Sequence, residues 1–479
     1  MTDTAAAGGL EAFADEFYET DALPVLSEYV RIPCLSPEFD RAWEENGHLR
    51  AAADLLADFA SHREISGLKV EVVSLPSLSP VILAEAPATA GFRDGAATTV
   101  LYGHLDKQPP FTGWREGLGP FEPVREGDRL YGRGVADDGY SLFCALGALE
   151  ILERAGRGHG RSILIVEASE ESGSSHLAPY LDLLSDRLAE APGLVVCLDS
   201  GAMSYDRLWT TTSLRGLVGA TIRVDVLTEG IHSGGGGGVV PDSFRLLRQL
   251  LDRIEDAVTG EVLLEGCRVE VPAQRRREAD ELAGDLGEAA LDRFPTVPGL
   301  RLANGASVAE ALLRRTWSAS IAAVGMDGMP ALEDAGNVIR PHTSCHIAMR
   351  IPPAADAGAV ADELRQRLED EAPDGARVAI EGLGAAPGFN APEMAPWLKS
   401  ACEEASRAYF GAGPGHMGEG GTIPFLSTLL ASYPKAQFLV TGVLGPESNA
   451  HGPNEMLHIP TAKALTASVA EVLSRAAVS

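Results

Sequence analysis

Three short apolar runs, each passing directly into acidic or imidazole side chains, constrain this chain more than any other feature. Residues 98–102 (TTVLY) lead into Gly103-His104-Leu105-Asp106, residues 162–166 (SILIV) into Glu167 and then Glu170-Glu171, and residues 194–198 (LVVCL) into Asp199. Runs this short and this apolar predict strands buried on both faces, and the helical spacing of Leu142, Leu146 and Leu149 predicts a buried helix between the first two. Strands alternating with helices make a covered sheet, an α/β domain. In such sheets functional residues gather beyond the carboxyl ends of the strands, which is where His104, Asp106, Glu170, Glu171 and Asp199 fall.

The patterning changes near Gly216. Residues 221–226 (TIRVDV) and 344–351 (SCHIAMRI) alternate polar with apolar, as strands with one wet face do, and Val378 and Ile380 mark a third example. Helical stretches at 243–254 and 359–368 lie among them, whereas 257–331 gives no clear pattern. The chain returns to helix near Pro392, to a strand over 437–443 and to a final helix from Pro460; the region up to Phe59 is also helical in its spacing. The expected organisation is therefore an α/β catalytic domain, a mixed sheet covered by helices, formed by residues 1–214 plus 388–479. A smaller α+β lid or dimerisation domain, residues 215–387, interrupts it.

Composition excludes several functions. Of 479 residues, 39 are Lys or Arg against 68 Asp or Glu, a formal charge of −29 that repels phosphate backbones, so nucleic acid is not an expected partner. Mean hydropathy is +0.02 and the longest apolar runs are strand-sized, so no membrane association is expected either. The N-terminus, with Asp3, Glu11, Asp15 and Glu16, reads as cytoplasmic rather than exported. The 6 cysteines lack a CxxC spacing and read as reduced, buried thiols.

Beyond the three strand ends, Asp137-Asp138 sits in the turn Tyr131-Gly-Arg-Gly-Val-Ala136, and His451 lies in the loop Ser448-Asn-Ala-His-Gly-Pro-Asn-Glu455. Each residue alone is ordinary in so acidic a chain. Together they are crowded carboxylates that repel unless a cation offsets them. Imidazole and carboxylate without thiolate suit zinc, manganese or cobalt, and the donors suffice for two ions sharing a bridging carboxylate. Arg350 and His346 fall on the face opposite Cys345, Ile347, Met349 and Ile351, so Arg350 points away from its own core. The run Gly234–Gly238 lacks the Lys-Ser/Thr of a phosphate loop and reads as a hinge or a close backbone approach.

Six motifs in order, Gly103-His-Leu-Asp-Lys-Gln-Pro109, Leu130-Tyr-Gly-Arg-Gly-Val-Ala-Asp-Asp138, Ser169-Glu-Glu-Ser-Gly-Ser174, Ile231-His-Ser-Gly234, Gly420-Gly-Thr-Ile-Pro424 and Asn449-Ala-His-Gly-Pro-Asn-Glu455, resemble the dinuclear-zinc metallopeptidases and amidohydrolases. That family includes carnosinases, cytosolic nonspecific dipeptidases, glutamate carboxypeptidase, aminoacylase and succinyl-diaminopimelate desuccinylase, and the chain is most similar to its carnosinase and dipeptidase branch. The resemblance implies two divalent ions, zinc first and manganese or cobalt next. His104 and Asp199 would hold one, Glu171 and His451 the other, and Asp137 would bridge both. It implies Asp106 orienting His104, and Glu170 as the general base taking a proton from a water that bridges the metals. His232 would stabilise the oxyanion from the partner subunit of a homodimer. Arg350, Asn337 and the Gly420-Gly421-Thr422 backbone would hold a small peptide or N-acyl amino acid by its carboxylate.

Two positions depart from the family pattern. Gly139-Tyr140 stands where Lys-Gly is usual, and Gly418 stands where the dipeptidase branch has Arg. Both bear on substrate choice, since no expected ligand is lost. Amide hydrolysis of dipeptides is the expected activity. An N-acyl amino acid deacylase on the same chemistry and a catalytically silent binding or dimerisation module are the alternatives; the intact ligand set argues against the last.

Overall fold

The three apolar runs form strands Thr99–His104, Ser162–Glu167 and Leu194–Cys197, buried at every position. The structure is a computed structural model and describes residues 4–90, 92, 98–188, 192–291, 294 and 296–478. The chain divides into two units. One is Met1–Thr212 with Ala391–Met417 and Thr428–Ser479; the other is Ser213–Asn390 with Gly418–Ser427.

The sheet of the first unit runs in the order Lys69–Val73, Val81–Ala86, Ser162–Glu167, Thr99–His104, Leu194–Cys197, Gln437–Val440. Thr99–His104 is parallel to both of its neighbours, Gln437–Val440 is parallel to Leu194–Cys197, and the first two strands form an antiparallel edge. It is a mixed sheet. Strand register aligns the polar ends: His104 lies opposite Glu167, and Tyr102 opposite Cys197, so the polar residues after each strand emerge at one edge.

Helix Ser141–Arg154, buried from Ser141 to Leu152, and the C-terminal helix Ile459–Ala476 supply much of the core that backs this sheet. Each large aliphatic side chain so buried contributes about 1.5–3 kcal/mol. Lys107 is fully buried and donates to the carbonyls of Tyr29, Val30 and Ile32 at 2.9, 3.2 and 2.8 Å. Its charge meets the negative end of helix Leu23–Arg31 and ties that helix to the loop after His104. All 6 cysteines are free and buried. No described helix is long and apolar enough to cross a membrane.

The second unit is an antiparallel sheet ordered Ser320–Asp327, His342–Ile351, Gly216–Asp225, Arg377–Ala386. Its apolar side chains, Val218, Ala220, Ile222 and Val224 with Cys345, Ile347, Met349 and Ile351, pack with Leu246, Leu247 and Leu250 of helix Ser243–Leu251 and with Val360 and Leu364 of helix Ala357–Glu369. Asp242 and Asp356 cap those helices, accepting from Arg245 N at 2.9 Å and Ala359 N at 3.0 Å.

Several boundaries differ from the sequence reading. The strand expected over 437–443 ends at Val440, and the one around Val378 and Ile380 extends to Ala386 through Gly382 and Gly384, residues that give no apolar alternation. The unassigned 257–331 stretch holds helices Ala273–Leu286 and Val308–Trp317 and the edge strand Ser320–Asp327. The glycine run is not wholly a hinge: Ser233–Gly236 is one helical turn, and a Cβ on Gly236 would lie 2.5 Å from Ile231 Cδ1. That is the close approach expected of it.

Candidate dinuclear metal site

Parallel strands with a common carboxyl edge bring His104, Glu170, Glu171 and Asp199 together, and the turn before helix Ser141–Arg154 adds Asp137. His104 Nε2 lies 3.3 Å from Asp137 Oδ1, 3.9 Å from Asp199 Oδ1 and 4.0 Å from Glu170 Oε2. On the other side of Asp137, His451 Nε2 is 3.0 Å from Oδ2 and 3.3 Å from Glu171 Oε2. Donor atoms within 4.8 Å of one another form two groups, His104-Asp137-Glu171 and His104-Glu170-Asp199. His104 is common to both, and Asp137 stands between the two imidazoles. His451 belongs to a loop in which Glu447, Asn449, His451 and Asn454 all have positive φ, a backbone conformation that costs energy outside glycine.

Electrostatics favour cations here. Burial, then the charge of Asp199, pushes Glu170 well above the usual carboxylate range; burial and Asp137 raise Glu171. Burial carries Asp199 up to about 7 against the pull of His104. Asp137 also feels burial, but the adjacent imidazoles of His104 and His451 outweigh it and hold the carboxyl well below its ordinary value. Among the described residues no lysine or arginine pairs with any of these four acids. His104 Nε2 and Glu171 Oε1 are buried without a hydrogen-bond partner. A buried orphan acceptor is costly unless something fills its lone pair. Unpartnered ligand atoms, carboxylates without a lysine or arginine beside them and an all-imidazole and oxygen set together fit divalent cations.

Surrounding groups set the geometry. Asp106 accepts the backbone N–H groups of Glu170 and Glu171 at 3.1 and 3.0 Å, fixing the turn that carries both. His104 Nδ1 approaches the Asp106 carbonyl at 3.1 Å and its carboxylate at 3.5 Å. Asp106 thus serves the glutamates at least as directly as it orients the histidine. Gln108 donates to Glu171 Oε2 at 2.6 Å, and Asp138 accepts from His104 N at 3.1 Å.

One residue without an assigned role proves central. Glu455 is fully buried and accepts from Arg133 Nη1 at 2.8 Å, Gly134 N at 3.0 Å, and Ala136 N and Asp137 N at 3.2 Å each. It shapes the backbone that presents Asp137. Its only sequence signal was position, as the closing residue of the His451 motif.

The other expected site residues lie in the second unit. His232 and Asn337 meet on a two-stranded ribbon, where His232 pairs with Val338 and Ser233 N donates to Asn337 O at 2.8 Å; His232 is exposed. Arg350 Nη1 donates to Thr422 Oγ1 at 2.9 Å, bringing Arg350 to the Gly420-Gly421-Thr422 segment. Alternation along its strand is as expected, with His346 exposed and Arg350 half-buried among buried neighbours.

The chain is 28% identical over 380 residues to a cysteinylglycine-S-conjugate dipeptidase of Corynebacterium striatum, covering 77% of this chain and 80% of that one. It is 25% identical over 401 residues to human Beta-Ala-His dipeptidase, covering 80% and 75%. The solved structure of the dipeptidase Dug1p from Saccharomyces cerevisiae has the same fold, with a TM-score of 0.77, 20% identity and 99% of each chain covered. The model of Peptidase family M20/M25/M40 matches residues 100–475, and the chain belongs to that family, an enzyme of the metallopeptidase and hydrolase class.

Proposed function

We propose that this protein hydrolyses the amide bond of dipeptides or short peptides, with two divalent ions, zinc first, held by His104, Asp137, Glu171, Asp199 and His451. The placement of Asp137 between two histidines, 3.3 Å from one and 3.0 Å from the other, carries the reading. When bound, the ions supply Lewis-acid polarisation and ionise water at neutral pH. Glu170 is the general base: its carboxylate is mostly buried at 11% exposure and its backbone is fixed by Asp106, so it can take a proton from the attacking water and deliver it to the departing amine. Arg350 and Thr422 hold the substrate's terminal carboxylate, the Gly420-Gly421 backbone and Asn337 complete the substrate clamp, and His232 donates to the oxyanion.

The relatives whose printed names specify cysteinylglycine conjugates and Beta-Ala-His support dipeptides as the substrate class. The 6 free, buried cysteines suit a cytoplasmic, reducing location. Ninhydrin-type detection of amine release from a dipeptide panel, against N-acyl amino acids, with zinc or manganese added, tests the proposal. Turnover of N-acyl amino acids alone would replace it with the deacylase reading. A homodimer in which His232 serves the partner's site is part of the proposal. Mixing His232→Ala with Glu170→Gln under subunit exchange should restore activity, and no recovery after demonstrated exchange would place His232 in its own chain.

A further inference from the structure

Three arginines of the second unit converge where the proposed carboxylate clamp lies. A Cβ on Gly420 would sit 3.1 Å from Arg215 Nη2 and 3.6 Å from the Arg315 carbonyl, so the glycine leaves room for the Arg215 guanidinium against the backbone. Arg315 pairs with Glu419 at 2.9 Å, and Arg350 reaches Thr422, whose hydroxyl in turn donates to the Arg215 carbonyl at 2.5 Å. Three guanidinium charges against the single carboxylate of Glu419 leave a surplus of two. Among the described residues Arg215 donates only to neutral oxygens, Ser318 O at 3.3 Å and Ser320 Oγ at 3.0 Å. The Nε atoms of Arg215 and Arg315 are buried without a partner. Burial, then the charges of Arg350 and Arg315, pushes Arg215 down to about 10, still cationic at neutral pH.

Like charges packed this way repel unless an anion joins them. A dipeptide's terminal carboxylate offsets one of the two surplus charges and leaves the other. We propose that Arg215 and Arg315 form a second anion subsite beside Arg350, and that the preferred substrates carry a carboxylate side chain, aspartate or glutamate, at the C-terminal position. This rests on the reading that Arg350 takes the terminal carboxylate. Planar guanidinium forks suit a carboxylate in two-pronged contact, and the neutral amide of Gln or Asn has the same shape without the charge.

The experiment compares kcat/KM of the metal-loaded protein for Ala-Glu with Ala-Gln, and for Ala-Asp with Ala-Asn. Acidic substrates should be favoured at least ~10-fold, mainly through KM, as expected for a charged hydrogen-bond pair. Arg315→Gln and, independently, Arg215→Gln should bring the Glu-to-Gln ratio toward unity; if Arg215→Gln does not fold, Arg315→Gln decides. Calorimetry with glutarate against butyrate gives a readout free of turnover: glutarate should bind the wild type more tightly, and Arg315→Gln should erase the difference. Equal use of Ala-Glu and Ala-Gln overturns the subsite and leaves dipeptide hydrolysis standing. Failure to cleave any dipeptide overturns the proposed function, and glutarate binding no better than butyrate then overturns the subsite as well.

Discussion

Replacing Glu455 with Gln is the sharpest test of how the site is built. Oε2 faces the donors Arg133 and Gly134, and Oε1 faces the donors Ala136 and Asp137. A carboxylate accepts from all four; an amide must turn its NH2 group against one pair. The best arrangement keeps the amide oxygen toward Arg133, whose side chain is 1% exposed, and leaves two buried N–H groups facing an NH2. Each unsatisfied buried donor costs about 1–3 kcal/mol. Arg133 also loses its charged partner, and breaking a buried pair outright costs about 3–5 kcal/mol. Glu455→Gln should therefore destabilise the protein by about 3–5 kcal/mol, read from the shift of its urea unfolding midpoint. It should also lower metal content, because the released backbone carries Asp137. Glu447→Gln is the control: its ion pair with Arg129 has a carboxylate 66% exposed, and such pairs are worth about 0–1 kcal/mol. If the two variants unfold within about 1 kcal/mol of each other and both keep full metal content, Glu455 does not organise the loop as argued.

Three further outcomes are expected. Chelation should abolish activity and lower the thermal midpoint, and metal at a hundredfold excess over its Kd should restore about 2.7 kcal/mol; activity indifferent to chelator would remove the metal assignment. Glu170→Gln should lower turnover at least ~10²-fold with metal content unchanged; loss of metal from Glu170→Gln but not from Glu171→Gln would mean that the two acids exchange roles. Asp137→Ala should empty both metal positions and His451→Ala mainly one, by metal analysis of the purified variants; equal losses would show that Asp137 does not bridge.

What could be read from the sequence was what burial and periodicity write into it. Strands buried on both faces leave continuous apolar runs, and their polar ends marked the edge where His104 and Asp199 meet. Half-buried strands alternate, so the face presenting Arg350 was visible too. The edge strand Ser320–Asp327 was not, because it has neither pattern: it is exposed at nearly every position, and Ala322, Ala323 and Gly325 carry little hydrophobic contrast. Glu455 escaped for a different reason. A buried glutamate looks like any other acid in a chain with 68 of them, and its role depends on backbone donors more than 300 residues away.

The two departures from the family pattern find local explanations in contacts that sequence order hides. At Gly139, a Cβ would lie 2.2 Å from the Tyr29 ring and 2.5 Å from the Gly134 carbonyl, so a larger residue cannot follow Asp138 while Tyr29 stays packed there. Tyr140, next along, is buried and donates its hydroxyl to the carbonyl of Leu198, the residue before Asp199. The replacement thus braces a strand end that carries an expected ligand. At Gly418, a Cβ would come within 2.8 Å of Ser213 Oγ and of Thr316 Cβ, leaving no room for an arginine side chain. Glu419 meets the guanidinium of Arg315, which also donates to the Gly418 carbonyl at 3.2 Å. A positive charge therefore remains beside Glu419, delivered from helix Val308–Trp317. Because that helix lies in a stretch with no clear hydrophobic pattern, the placement of Arg315 beside Glu419 is visible only in the folded chain.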